Sequence, residues 1–278
     1  MFESILLSAI VSFLNLNTIQ RWNQIMTNNA VLLLFAIINV VVTGLFAGAV
    51  LRQYMRRRRT SQLYWSIALI MAFLATLAYV LMVIVGPTSS FGVALFRLYY
   101  IFGAALVPAW LGLGSIALVA SARVTRVCLI VLVALSLLAV GLISTATIDM
   151  SKLSQIAGTP GTGILEPGAW LVTIIILNTL GVLAVVGVAL YSGWKLIRRQ
   201  SSVAGIQTIN LLWANVLILV GDLLNAAAGS LARFFGLQSS FWIIQAFGWT
   251  VFFAGVLIAS RRSTTTKQTS PEKAQVPA

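Results

Sequence analysis

Residues 51–62 read LRQYMRRRRTSQ and carry five arginines, Arg52 and the unbroken run Arg56–Arg59, between two long apolar stretches. Basic side chains in short loops beside membrane spans stay on the cytoplasmic side of the bilayer. If the flanking stretches cross a membrane, this loop therefore sets the direction of both. The stretch predicts the topology of the whole chain, although it carries no information about activity.

The composition of the 278-residue chain is that of a membrane protein. Hydrophobic residues make up 60% of it and charged residues only 8%, whereas a soluble domain carries about 25% charged residues. The net charge of +13 would suggest nucleic acid binding in a soluble protein, but here it lies in short loops between apolar stretches. We interpret it as an orientation signal that also attracts anionic lipid headgroups, and we expect no nucleic acid partner.

Seven apolar stretches are long enough to cross the hydrocarbon core of a bilayer, which takes about 20 helical residues. The sequence therefore predicts an all-α, polytopic membrane protein with a seven-helix bundle over residues 30–260. The seven stretches cover approximately residues 30–51, 63–85, 91–120, 127–145, 169–194, 205–228 and 239–260.

The distribution of basic residues predicts the orientation of the bundle. With the arginine run inside, fourteen of the eighteen basic residues fall on the cytoplasmic side, and only Arg21, Arg97, Lys152 and Arg233 do not. The N terminus is then outside and the C terminus inside, in a plasma membrane of the bacterial inner-membrane type. The long loop over residues 146–168, with the turn sequences TPGTG and EPG, is predicted to cover the outer surface.

The two terminal segments differ from the bundle in composition. Residues 1–29 show apolar residues at helical spacing with polar ones opposite, which predicts an amphipathic helix on the outer side. Residues 261–278 are basic and contain almost no core-forming residues, so we expect a cytoplasmic tail that is disordered unless bound. Either segment is a candidate docking site for a protein partner.

The residue inventory argues against catalysis. Histidine is absent, Cys128 is the single cysteine, and the chain has five acidic residues, of which only Asp222 lies in an apolar stretch. Imidazole or thiolate metal sites are therefore not expected, and no nucleophile with its base and orienting group can be assembled. The seventh stretch has no lysine, which excludes a covalent retinal pigment. We expect no cofactor, no metal and no enzymatic activity.

Polar residues inside the spans are costly in lipid and should face the bundle interior. They predict a pocket in the outer half of the bundle that takes a small ligand from the outer side, although interhelical hydrogen bonding would place the same residues inward. The sequence also predicts that Arg97 pairs with Asp222 at about the same depth. The candidate pocket residues are Asn39, Arg97, Tyr100, Asn178, Asn215, Asp222, Asn225, Gln245 and Trp249.

Part of the chain resembles a known sensory region. Residues 52–119 include LYWSIALIMAFLATLAYVL and FRLYYIFGAALVPAWLGLG, in which the third apolar stretch carries Tyr99, Tyr100, Pro108 and Trp110. This segment resembles the seven-helix membrane region that precedes bacterial histidine kinases, where a basic turn also follows the first helix. The resemblance implies a receptor-like module.

A second resemblance concerns the layout of the spans. The first three and last three stretches each place a basic turn before a second helix, and each third helix opens Ser-Ser-Phe, at residues 89–91 and 239–241. This layout resembles parallel-repeat transporters of the SWEET family and implies a 3+1+3 arrangement with a substrate path between the repeats. The leading hypothesis is a non-catalytic module, either sensory or an accessory subunit of a membrane complex; the alternative is a small-solute transporter.

Overall fold

The computed structural model describes the backbone of residues 2–199 and 206–260, and the side chains within residues 30–198 and 210–259. Within these residues the fold is all-α, and the only β-type pairing is an isolated antiparallel bridge between Ile148 and Leu165. A π-helical segment, Tyr100–Leu106, joins α3 to α4. The α-helices are α1 (Phe2–Arg57), α2 (Thr60–Val85), α3 (Ser90–Tyr99), α4 (Val107–Val119), α5 (Ala122–Thr145), α6 (Met150–Leu153), α7 (Ala169–Arg199), α8 (Ile206–Phe234) and α9 (Phe241–Ser260).

Seven segments of the described chain are long and apolar enough to cross a membrane, which confirms the predicted all-α, seven-helix fold. Large apolar side chains cover the outside of the bundle, as bilayer contact requires; Leu137, for example, is 69% exposed. The chain is thus a multi-pass integral membrane protein. The spans are Ala30–Arg57, Thr60–Val85, Ser90–Val119, Ala122–Thr145, Ala169–Arg198, Asn210–Phe234 and Gln238–Ala259.

The bundle has two ends, which we name by the connections they carry. At the loop end, residues 146–168 connect α5 to α7. At the arginine end, Arg58 and Arg59 connect α1 to α2, and Arg58 has a φ of 51°. Which end faces the outside is a prediction from charge and not a property of the fold.

Several spans are longer than the sequence indicated. The helix α8 continues to Phe234 instead of stopping near residue 228, and α1 runs without interruption from Phe2 into the first span. The amphipathic face assigned to residues 1–29 rests on side chains outside the described part, and so does the tail 261–278. The roles proposed for these segments stay predictions.

The third span contains an irregularity that Pro108 causes locally. Proline has no backbone N–H, so it interrupts the regular hydrogen-bond ladder of a helix. Before it, Val107 donates to the carbonyl of Phe102, five residues back, and residues 100–106 form a π-helical segment. The helix is therefore widened just before Pro108. Such π-helical turns occur often at functional sites.

The contact between the third span and α7 is made by glycine. A Cβ placed on Gly181 would overlap the carbonyl group of Pro108, and one on Gly112 would lie 2.9 Å from the Gly181 Cα. Small residues allow two helices to approach this closely. The predicted 3+1+3 parallel repeat is not shown by this arrangement.

Candidate functional site

The bundle encloses a cavity of about 480 Å³ towards the loop end. Five spans contribute to its walls, namely α2, the third span, α7, α8 and α9, and residues of the 146–168 loop complete it. Most lining side chains are aliphatic or aromatic, with a smaller polar set. That composition is typical of a small-molecule site. The polar and charged lining residues are Thr76, Tyr99, Tyr100, Thr162, Asn178, Thr179, Asp222, Asn225, Ser230, Arg233 and Gln245.

The structure brings six of the nine predicted pocket residues together and separates three. The six come from four different spans, so their meeting depends on the packing of the whole bundle. The three that lie elsewhere are Asn39, Arg97 and Asn215. The six that line the cavity are Tyr100, Asn178, Asp222, Asn225, Gln245 and Trp249.

Asn39 connects helices instead of lining the cavity. It is fully buried, and its Nδ2 donates to the carbonyl of Trp242 at 3.1 Å and to that of Phe35 at 2.9 Å. The first bond joins α1 to α9. Asn39 therefore fits the interhelical hydrogen-bonding role that the sequence left open.

The predicted ion pair between Arg97 and Asp222 is wrong. The guanidinium of Arg97 donates to the carbonyls of Ile143 and Ala146, at the C-terminal end of α5. Arg97 lies seven residues inside α3, about 10 Å deep, whereas Asp222 lies twelve residues from the end of α8, about 18 Å deep. The prediction failed because α8 extends to Phe234, which places Asp222 near the middle of its span.

Asn215 lies towards the arginine end. Its Nδ2 donates to the Leu211 carbonyl at 3.0 Å within α8. It lines a separate, shallower cleft of about 410 Å³ together with Tyr191 and Lys195 of α7. Asn215 therefore belongs to a different surface from Asp222 and Asn225, although all three were predicted to line one pocket.

Unpartnered polar atoms concentrate around the cavity. Among the described side chains, ten buried nitrogen or oxygen atoms have no hydrogen-bond partner. Six of them belong to cavity-lining residues: Asn178 Oδ1, Asp222 Oδ2, Gln245 Oε1, Trp242 Nε1 and both polar atoms of the Asn225 amide. The last of these six atoms, the Trp242 indole nitrogen, lies beside the Tyr79 hydroxyl. Because unsatisfied buried polar groups are rare in proteins, this concentration marks a site rather than a random defect.

Part of the loop, residues 156–162, lies over the cavity, and we call this segment the roof. Two buried tyrosines hold it in place. Tyr79 donates to the Ile156 carbonyl at 3.1 Å and accepts from the Gly158 N–H at 2.9 Å. Tyr99 donates to the Pro160 carbonyl at 3.2 Å. These hydrogen bonds connect α2 and α3 to the loop. The roof that they hold covers the cavity at its loop end.

The start of the loop is ordered by a local cap. The Asp149 carboxylate accepts hydrogen bonds from the Ser151 hydroxyl at 2.6 Å and from the backbone of Ser151 and Lys152, and it lies 3.1 Å from the Lys152 ammonium. The hydrogen bond from Ser151 and the contacts with Lys152 hold the pKa of Asp149 well below its usual value. This cap begins the short helix α6.

An aromatic layer lies beneath the cavity on its arginine side, and we call it the floor. It consists of Phe46, Trp65, Trp249 and Phe252. Phe252 contacts the other three, with ring centroids 5.5 Å from Phe46, 6.0 Å from Trp65 and 6.0 Å from Trp249. Trp65 also donates to the carbonyl of Leu111, which lines the cavity, at 3.2 Å. Residues from α1, α2 and α9 thus pack together on the arginine side of the cavity.

Several lining residues were missed from the sequence. Arg233 was assigned to an outer loop because the sixth span was predicted to end near residue 228. Extending that helix puts Asp222, Gly229 and Arg233 on one stripe at helical spacing, which is a signal the sequence did contain. Arg233 lies over the Trp170 ring, 5.5 Å from its centroid, and beside the Tyr100 hydroxyl.

No family model matches this chain, and neither curated proteins nor solved structures show a match. The two sequence resemblances, to kinase-associated sensory regions and to SWEET transporters, therefore stay predictions. Among the described residues, no group of three or more His, Cys, Asp or Glu side chains is placed to hold a metal ion. The site must be interpreted from its own geometry.

Proposed function

We propose that this protein is a non-catalytic, receptor-like membrane module that binds a small molecule inside its seven-helix bundle. The observation that carries this proposal is the group of five unpartnered polar atoms on Asn178, Asp222, Asn225 and Gln245 around one cavity. A ligand with hydrogen-bonding groups would satisfy these atoms, and the aromatic walls would bury its apolar part.

The floor supports binding over transport. A solute that crosses the membrane needs a path to both ends of the bundle. Phe46 and Phe252 are fully buried beneath the cavity and pack against each other. The cavity therefore has the form of a pocket that ends inside the protein, and transport would require the aromatic layer to open.

The proposal is tested by filling the cavity at a position where the fold has room. Gly229 lines the cavity, and a Cβ there would have no atom within 4 Å. Gly187 of α7 has equally free space but does not line the cavity, which makes it a matched control. The purified wild type, Gly229→Phe and Gly187→Phe proteins would be compared by native mass spectrometry after extraction with their native lipids.

We expect a bound small molecule in the wild type and in Gly187→Phe, and its loss in Gly229→Phe. A wild-type protein without any bound molecule, or a molecule retained in Gly229→Phe, would contradict the proposal. Recovery of a stoichiometric protein partner instead would favour the accessory-subunit role.

A further inference from the structure

The cavity has an opening in its side, between α7 and α8. Several lining residues on these helices are also exposed on the outside of the bundle: Leu183 is 61% exposed and Phe234 is 68% exposed. Thr179, Gly229 and Ser230 likewise line the cavity and are exposed. With the roof above and the floor below, the exposed face between α7 and α8 is the part of the wall that faces lipid.

Contacts bound this side opening at both ends. Towards the loop end, the Arg233 guanidinium lies over the Trp170 ring and connects α8 to α7. Towards the arginine end, a Cβ on Gly193 would lie 3.9 Å from Leu212 Cδ1, an ordinary van der Waals contact between α7 and α8. Between these contacts, both helices contribute exposed residues to the cavity wall, at the depth of the hydrocarbon core. This exposed wall is where a molecule dissolved in the bilayer would reach the cavity.

The charges around the cavity are separated along α8. Asp222 is 5% exposed, and among the described side chains no basic group pairs with it. Arg233 lies eleven residues further along the helix, a separation of about 16 Å along its axis, and is engaged with Trp170. An unpaired charge in a membrane span is costly and marks a functional site. The cavity thus has a carboxyl group at its inner end and a guanidinium group at its rim.

Two indole rings line the cavity, Trp242 beside Tyr79 near the roof and Trp249 two turns further along α9. Trp249 and Trp242 are almost fully buried and line the cavity together with Asp222 and Gln245. The electron-rich faces of indole rings attract ammonium groups, and a nearby carboxylate strengthens that attraction. The amide side chains supply further hydrogen-bond acceptors. This combination matches a cationic nitrogen better than a neutral or anionic group.

We propose that the ligand is a lipophilic amine, which enters from the bilayer between α7 and α8 and places its ammonium group beside Asp222. This inference rests on the proposed function and adds the chemical class of the ligand and its route. The amine crosses the side opening in its uncharged form, and its apolar chain then lies towards Leu183 and Phe234.

The amine class is tested with two fluorescent probes that differ in one group: N-dansyl-1,8-diaminooctane and the corresponding dansylaminooctanol. Energy transfer from the cavity tryptophans to the dansyl group reports binding in lipid nanodiscs, with empty nanodiscs as the blank. We expect the amine to bind at least about tenfold more tightly than the alcohol, and Asp222→Asn to weaken amine binding about thirtyfold while leaving alcohol binding unchanged. Asp149→Asn, which neutralises a carboxylate outside the cavity, is the control and should change neither.

The route is tested with two leucines of α7 that are similarly exposed. Leu183 lines the cavity, whereas Leu180, at 58% exposed, does not. Stopped-flow measurements with direct dansyl excitation should show slower association of the amine in Leu183→Trp, by about tenfold or more, and an unchanged rate in Leu180→Trp. Thr162→Trp, which narrows the cavity under the roof, should slow association less than Leu183→Trp does.

The outcomes separate the inference from the proposed function. Equal binding of amine and alcohol, with no effect of Asp222→Asn, would overturn the amine class while the pocket itself stands. Slower association in Thr162→Trp but not in Leu183→Trp would overturn the side route. If neither probe binds and no native molecule is bound, the proposed function itself fails.

Discussion

Arg97 shows how a single charged residue in a span finds partners that the sequence does not indicate. The last four carbonyl groups of a helix lack intrahelical partners, and a cation near them also interacts favourably with the helix dipole. Arg97 uses both effects, because it donates to the Ile143 and Ala146 carbonyls at the end of α5. It therefore connects α3 to α5 and needs no acidic partner.

Replacing Arg97 should destabilise the protein through this cap. We expect Arg97→Ala to lower stability by about 1.5–3 kcal/mol, the range for hydrogen bonds to charged groups, and Arg97→Lys to lower it less. The thermal unfolding midpoint in detergent micelles measures the change. In combination with Asp222→Asn the two effects should add within about 0.5 kcal/mol, since the residues are not paired. If the stability changes of the two substitutions were clearly coupled, Arg97 and Asp222 would be paired after all.

At the scale of elements, the contact between α4 and α7 depends on Gly181. A Cβ at this position would overlap the Pro108 carbonyl, whereas Gly187, two turns further along α7, has free space. The π-helical segment before Pro108 brings Tyr100 and Gly103 to the cavity wall. The shape of the site and the packing of these two helices therefore depend on the same short stretch of the third span.

This dependence gives a prediction with its own control in the same helix. Gly181→Ala should cost about 1–3 kcal/mol because α4 and α7 must move apart. Gly187→Ala should be neutral or stabilise by up to about 1 kcal/mol, since alanine favours the helix and meets no neighbour. Unfolding midpoints in micelles compare the two. Equal midpoints for both variants would show that the helices are not packed this closely.

For the whole molecule, the orientation in the membrane rests on the charge asymmetry. Fourteen of eighteen basic residues lie on the arginine side of the predicted topology. The structure shows where this can be probed: Gln155 in the loop and Thr60 at the start of α2 are both exposed. Gly161, also in the loop, is unsuitable for cysteine labelling of the topology. It is buried with a φ of 72°, and a Cβ there would lie 2.8 Å from Ile156 Cδ1.

We expect an impermeant thiol reagent applied to intact cells to label Gln155→Cys and not Thr60→Cys, in a Cys128→Ser background. Thr60→Cys should become reactive once the membrane is permeabilised, which controls for its accessibility. Labelling of Thr60→Cys alone in intact cells would reverse the whole map and place the roof of the cavity on the cytoplasmic side.

The fold class and the number of spans follow from the amino-acid sequence alone. In a chain with only 8% charged residues, seven long apolar stretches are kept from water by crossing a membrane as helices. The sequence also identified six residues of the cavity, because polar groups such as Asn178, Asp222 and Gln245 are costly in lipid and must face inward.

Which of the inward-facing residues meet in the cavity depends on how the helices pack. Asn39 is buried and bonds to α9, whereas Asn215 is partly exposed near the arginine end. Partner choice depends on the length of α8, the π-helical segment before Pro108 and the glycine contact at residue 181. These features set the depth and the rotation of each helix in the bundle. Hydrophobic periodicity in the sequence specifies only which face of a helix turns inward.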